Sequence, residues 1–128
     1  MRLTIVGCAG SFPGPDSPAS CYLVEHDGHR LVLDLGNGAF GALQNHTDVY
    51  GIDAVVLSHL HADHCLDLTS YYVARRYHPD GPKGSIPVLG PSGTADRMAR
   101  AYDLPPEEGM HGEFEFRDHV EVTEIGPF

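Results

Sequence analysis

Four side chains of metal-ligand type stand within six residues of one another: His59, His61, Asp63 and His64, in the run Leu57-Ser-His-Leu-His-Ala-Asp-His-Cys65. His59 and His61 are two apart, so in an extended or looping backbone their imidazoles can project to one side and hold one metal ion. Asp63 and His64, at the turn into a following helix, can face a second ion nearby. Mixed nitrogen and oxygen ligands suit Zn²⁺, or Mn²⁺ or Fe where carboxylates are plentiful. Two such ions about 3.5–4 Å apart can activate a hydroxide, polarise the phosphoryl or carbonyl oxygen it attacks and stabilise the leaving oxygen. The implied chemistry is metal-assisted hydrolysis, with Asp63 the candidate catalytic carboxylate. The competing reading is a set of surface histidines in a polar loop. It suits a lone histidine better than three with an aspartate in this order after a buried strand.

The elements that must position this cluster are legible on both sides of it. Leu3 to Cys8, Cys21 to Glu25 and Arg30 to Leu35 are rich in β-branched, aromatic and apolar residues, with an Asp27-Gly28 turn between the last two, and they predict a β-meander. Ala9 to Ser20 contains three prolines, two glycines and three serines, which predicts a loop. A short helical stripe follows from Gly38 to about His46, then a buried strand from Ile52 to Leu57 that ends at the histidine cluster. Leu66 to Tyr77 reads as a helix ended by His78-Pro79, Ile86 to Leu89 as a strand, and Pro91 to Tyr102 as a helix with proline in its first turn. Beyond Leu104, alternation among Phe114, Phe116, Val120, Val122 and Ile125 predicts two short strands. The fold class is α/β of the α+β type, a β-meander followed by βαβα, in a single unit over residues 1–128.

Bulk properties narrow the partners. A chain of 128 residues can build one modest core. The longest apolar runs fall far short of the roughly 18–20 residues needed to cross a bilayer, and no membrane partner or export signal is expected. Three widely spaced cysteines, Cys8, Cys21 and Cys65, fit reduced thiols in the cytoplasm better than a disulfide framework. A net charge of −10 disfavours extended nucleic acid, whereas divalent ions would compensate locally and admit a small anionic substrate.

Other signals carry less. Gly36-x-Gly38-x-x-Gly41 matches the dinucleotide-binding spacing, but the strand before it is the third of a meander rather than the first of a βαβ unit, so a glycine turn is the better reading. Arg75-Arg76 could approach an anion, yet cations at a helix C-terminus are expected from the macrodipole alone. His111 and His119 lack a supporting motif and read as exposed loop residues. Cys65 reads as a small packing residue.

The His59-Leu-His61-Ala-Asp63-His64 run, preceded by a strand and by Asp34 at the end of an earlier strand, resembles the metallo-β-lactamase-fold superfamily. The stretches Gly14–Ser20, Asp34–Gly38, Ser58–His64 and Leu89–Gly93 resemble an actinobacterial branch related to ribonuclease Z and to atypical cyclic-nucleotide phosphodiesterases. The resemblance covers roughly the first 105 residues. It implies an αββα sandwich of which this chain is the N-terminal half, with two metal ions at one edge. It also implies that a third histidine, a bridging aspartate and a final histidine are still needed, and none can be assigned here. Asp34 would orient the metal loop without binding metal; it reads equally well as a strand-end turn cap. The uncovered sheet would need a partner, either a C-terminal half or a second copy. Three functions follow as expectations: a phosphodiesterase acting on a cyclic nucleotide or similar small phosphodiester in the complete protein, a ribonuclease Z-type transfer-RNA endonuclease, or a non-catalytic fragment serving as one half of an assembly. Thiolester and lactam hydrolysis are compatible with the same metal pair.

Overall fold

Alternation of apolar residues builds a six-stranded sheet in the computed structural model, which describes residues 1–128. The strands are β1 (Arg2–Gly7), β2 (Cys21–His26), β3 (His29–Leu33), β4 (Ala54–Val56), β5 (Ile86–Gly90) and β6 (Phe114–Asp118), hydrogen-bonded in sequence order. The first three pair antiparallel as the expected meander, and β3, β4, β5 and β6 then pair in parallel. Parallel neighbours require crossovers, which are supplied by α1 (Ala39–Leu43), by α2 (Ala62–Cys65) with α3 (Leu68–Arg76), and by α4 (Thr94–Ala101).

The core lies on one face of this sheet. Cys21, Leu23, Val32, Val55, Val88 and Phe114, alternate residues of successive strands, join Ala39, Leu43, Leu68, Tyr71, Tyr72 and Met98 from the helices in one cluster. The opposite strand positions carry no helix. Leu3 and Ile5 stand 60% and 61% exposed there, with Tyr22, Val24, Leu33 and Val56 half-buried beside them. No helix is long and apolar enough to cross a membrane.

Three expectations are corrected. Residues after β6 form no second tail strand and run irregular up to a turn at Gly126–Pro127, because Val120 and Val122, 67% and 79% exposed, pack against nothing that would hold them in a strand. The helix expected from Pro91 begins at Thr94, since Gly93 takes φ +88° and the Thr94 hydroxyl donates to the Pro91 carbonyl at 2.6 Å. The helix after the cluster is two segments, and Asp63 and His64 lie inside the first of them, α2.

Candidate metal centre

Because β1, β3, β4, β5 and β6 run in one direction, their C-terminal ends open on one edge of the sheet. Sites in open α/β sheets form at this edge. Asp34 leaves β3 there in the left-handed region, with φ +59°, a conformation that Asp tolerates better than most residues. The residue is 6% exposed, and its carboxylate is saturated with partners. Oδ1 accepts the Ser58 backbone N–H at 2.7 Å, and Oδ2 accepts the Ser58 hydroxyl at 2.8 Å and the Ser20 hydroxyl at 3.3 Å. The same Oδ2 lies 2.7 Å from His64 Nδ1.

This network sets the imidazole tautomers. A carboxylate oxygen can only accept, so His64 carries its proton on Nδ1 and leaves the Nε2 lone pair free. The Ser58 hydroxyl, its proton committed to Asp34, can only accept from His59 Nδ1 at 3.1 Å, which leaves His59 Nε2 free as well. The His59 ring lies between its neighbours, with centroids 4.0 Å from His64 and 4.8 Å from His61. His64 Nε2 faces Asp63 Oδ2 at 3.2 Å. Two acceptors at that distance repel unless they share a cation, either a proton or a metal ion. The donor chemistry therefore fits a divalent ion. The ligand sphere is partial: no group of three or more His, Cys, Asp or Glu side chains is placed to hold an ion by itself.

Loops tie the cluster down from both sides. Ser11 N–H donates to Asp63 Oδ2 at 2.9 Å, and the Asp63 carbonyl accepts Ser20 N–H at 3.1 Å. Desolvation pushes the Asp63 carboxyl upward, but the Ser11 and Asp63 backbone N–H groups and the His64 and His59 imidazoles outweigh it and hold the group below the usual carboxylate range. Leu35 N–H donates to the His64 carbonyl at 2.8 Å, and Asp67 N–H to the Leu35 carbonyl at 3.0 Å. Gly36 is required by this close approach, since a Cβ there would stand 2.0 Å from the Asp63 carbonyl oxygen. Gly38 holds φ +82° at the start of α1, whose Phe40 N–H is capped by Asp67 Oδ2 at 2.9 Å. The glycines that mimic a dinucleotide fingerprint thus serve the turn and the approach of two loops.

The remaining sequence candidates lie elsewhere or act differently. Cys65 is fully buried in the core cluster. Arg75 bonds the Tyr71 hydroxyl and the Gly84 carbonyl, and Arg76 pairs with the buried Glu113 at 3.1 Å. His111 packs edge-on against Phe116. His119 is more than a bystander: its Nε2 lies 2.7 Å from the Leu57 carbonyl and its N–H donates to the Gly90 carbonyl at 2.9 Å, joining the ends of β4, β5 and β6 under the metal loop. Ser11, Ser20 and Ser58 carry no mark in the sequence, because serine in a loop has no spacing signal of its own.

The profile of the metallo-β-lactamase superfamily matches residues 14–127. The chain belongs to that superfamily of metal-dependent hydrolases. It is 52% identical over 103 residues to an uncharacterized protein of Mycobacterium tuberculosis, an alignment covering 79% of this chain and 37% of the relative. It is 33% identical over 92 residues to the probable metallo-hydrolase YhfI of Bacillus subtilis, covering 70% of this chain and 38% of that protein. The crystal structure of YhfI superposes with a TM-score of 0.78 at 24% identity, covering 98% of this chain and 50% of that one. Human tRNase Z, short form, superposes with a TM-score of 0.72 at 24% identity, covering 93% and 45%. These two superpositions bear out the expected fold. The chain spans less than two-fifths of the length of these two relatives.

Proposed function

We propose that this chain supplies the N-terminal, metal-binding half of a phosphodiesterase that hydrolyses a cyclic nucleotide or a similar small phosphodiester. The observation that carries the metal assignment is the pair of facing acceptors, His64 Nε2 and Asp63 Oδ2, beside two imidazoles, His59 and His64, whose Nδ1 atoms are already engaged. His59 and His61 would hold one ion, and Asp63 and His64 the other, with Zn²⁺ the preferred metal and Mn²⁺ or Fe the alternatives. Bound there, the ions would supply an activated water and neutralise charge developing on the phosphoryl oxygens. Asp34 orients His64 and Ser58 and binds no metal. Asp63, whose carboxyl the Ser11 N–H and the imidazoles hold below the usual carboxylate range, would take the proton of the attacking water.

A small phosphodiester is favoured over RNA by charge. The net charge is −10 and Lys83 is the only lysine, so a phosphate-lined polymer finds no basic track on this chain. Likeness to human tRNase Z supports the second reading, a transfer-RNA 3′ endonuclease, for a protein whose remaining part carries an RNA-gripping arm. The bare sheet face around Leu3 and Ile5 supports a partner, a C-terminal half or a second copy, that also completes the ligand sphere. The deciding experiment uses protein of the relatives' length, assayed with Mn²⁺ or Zn²⁺ on 3′,5′-cyclic nucleotides and on precursor transfer RNA. Turnover of the cyclic nucleotides supports the proposal, and turnover of RNA alone overturns it.

A further inference from the structure

The loop between β1 and β2 is braced at both ends. Ala9 N–H donates to the Pro18 carbonyl at 3.1 Å, and Gly14 and Ser17 exchange backbone bonds at 2.8 and 3.3 Å. Within it, Phe12 N–H donates to the Gly10 carbonyl at 2.9 Å while Ser11, not a glycine, takes φ +70°. That combination is the rare, strained γ-turn, and such strain persists only where surrounding contacts over-determine it. The contact that does so is the bond from Ser11 N–H to the Asp63 carboxylate, so the turn is tied to the candidate metal centre.

The turn presents Phe12. The residue is 73% exposed and its ring takes part in none of the aromatic pairs of the core, although a phenyl group in water forgoes the free energy that burial would give. Consecutive Cα atoms lie about 3.8 Å apart, so Phe12 leaves the backbone within a side chain's length of the group that holds Asp63. A strained turn anchored on a candidate ligand and carrying an exposed aromatic ring is a means of setting that ring beside whatever binds there.

We infer that Phe12 is a specificity-determining residue, a stacking platform for the planar base of a nucleotide whose phosphate lies at the His59–His64 cluster. This rests on the phosphodiester reading above. Any base offers a π-face, so the platform selects nucleotides over base-free sugar phosphates without selecting among bases.

The chain has no tryptophan, so Phe12→Trp introduces a single fluorescent reporter at the platform. The probes are adenosine 5′-monophosphate and ribose 5-phosphate, titrated in the presence of Mn²⁺. Saturable quenching by the nucleotide, with an affinity about tenfold or more above that of the sugar phosphate, is the expected result. By calorimetry on Phe12→Ala, nucleotide affinity falls by about the same factor while the sugar phosphate affinity is unchanged. Equal responses to both probes, or none to the nucleotide, overturn the inference, including the case in which the indole emission of Phe12→Trp is already blue-shifted because another protein surface covers it. Base-dependent quenching in a protein that leaves cyclic nucleotides intact upholds Phe12 and overturns the reaction. Cyclic-nucleotide hydrolysis without base-dependent quenching does the reverse.

Discussion

Asp34 Oδ2 lies 2.7 Å from His64 Nδ1, across thirty residues of chain, and the same carboxylate holds Ser58 by both its N–H and its hydroxyl. One buried group therefore aligns the loop that carries His59 and the helix that carries His64. Asp34→Ala leaves those donors without an acceptor, at a cost of about 1–3 kcal/mol in stability. Loss of an orienting partner also weakens metal affinity by about 10–100-fold. Thermal unfolding in a chelator measures the first effect, and Zn²⁺ titration by calorimetry the second. If Asp34 were only a turn cap, Zn²⁺ affinity would be unchanged once stability is allowed for.

The two outer glycines of the Gly36-x-Gly38-x-x-Gly41 run should respond in opposite directions. Gly36→Ala places a methyl against the Asp63 carbonyl and should destabilise by about 1–3 kcal/mol, while displacing Asp63. Gly41→Ala meets nothing within 4 Å inside α1 and should stabilise by roughly 0.5–1 kcal/mol. Urea midpoints at unchanged slope separate the two. A nucleotide-cofactor loop would instead lose ligand binding at both positions.

His119 should behave as a brace. Its ring supports the Leu57 carbonyl two residues before His59. His119→Ala should lower stability by about 0.5–1.5 kcal/mol, and His119→Gln, which keeps a donor, should recover part of that in chemical denaturation. The number of metal ions bound per chain should not change in either variant. A lost ion would make His119 a ligand after all.

Thiol chemistry should single out Cys8, the one exposed cysteine. At pH 8 one thiol should react quickly with a disulfide reagent, and Cys21 and Cys65 only on unfolding, because both are buried. Burial, with smaller help from Asp34 and Asp67, pushes the Cys21 thiol from 9.0 up to about 12. Between those values the unfolded chain releases this proton and the folded chain keeps it, so stability falls as pH rises through that window. Cys21→Ala should flatten the alkaline limb of a stability–pH curve. An unchanged limb would assign the loss to other groups.

Local pattern carries much of the fold. The meander, the buried strand before His59 and the helices after it are readable because alternation and helical spacing report which side of an element is covered. The tail departs from its pattern because Val120 and Val122 alternate as a strand would, yet both stay exposed, and alternation makes a strand only where one face packs against something. Helix starts shift by a few residues where the backbone decides: Gly93 in the left-handed region caps α4, which begins at Thr94 and not at Pro91.

The ligand types are set by sequence alone, since His59, His61, Asp63 and His64 are neighbours along the chain and any backbone path keeps them together. What they can do is decided in three dimensions. Ser11 meets Asp63 from fifty-two residues away and Asp34 meets His64 from thirty. Those contacts depend on strand register and on a gap at Gly36 narrow enough to exclude a Cβ. Tautomer, carboxylate charge and the facing of His64 Nε2 by Asp63 all follow from them. Hydrogen bonding acts over about 3 Å, so only the folded chain determines which lone pairs remain free for a metal.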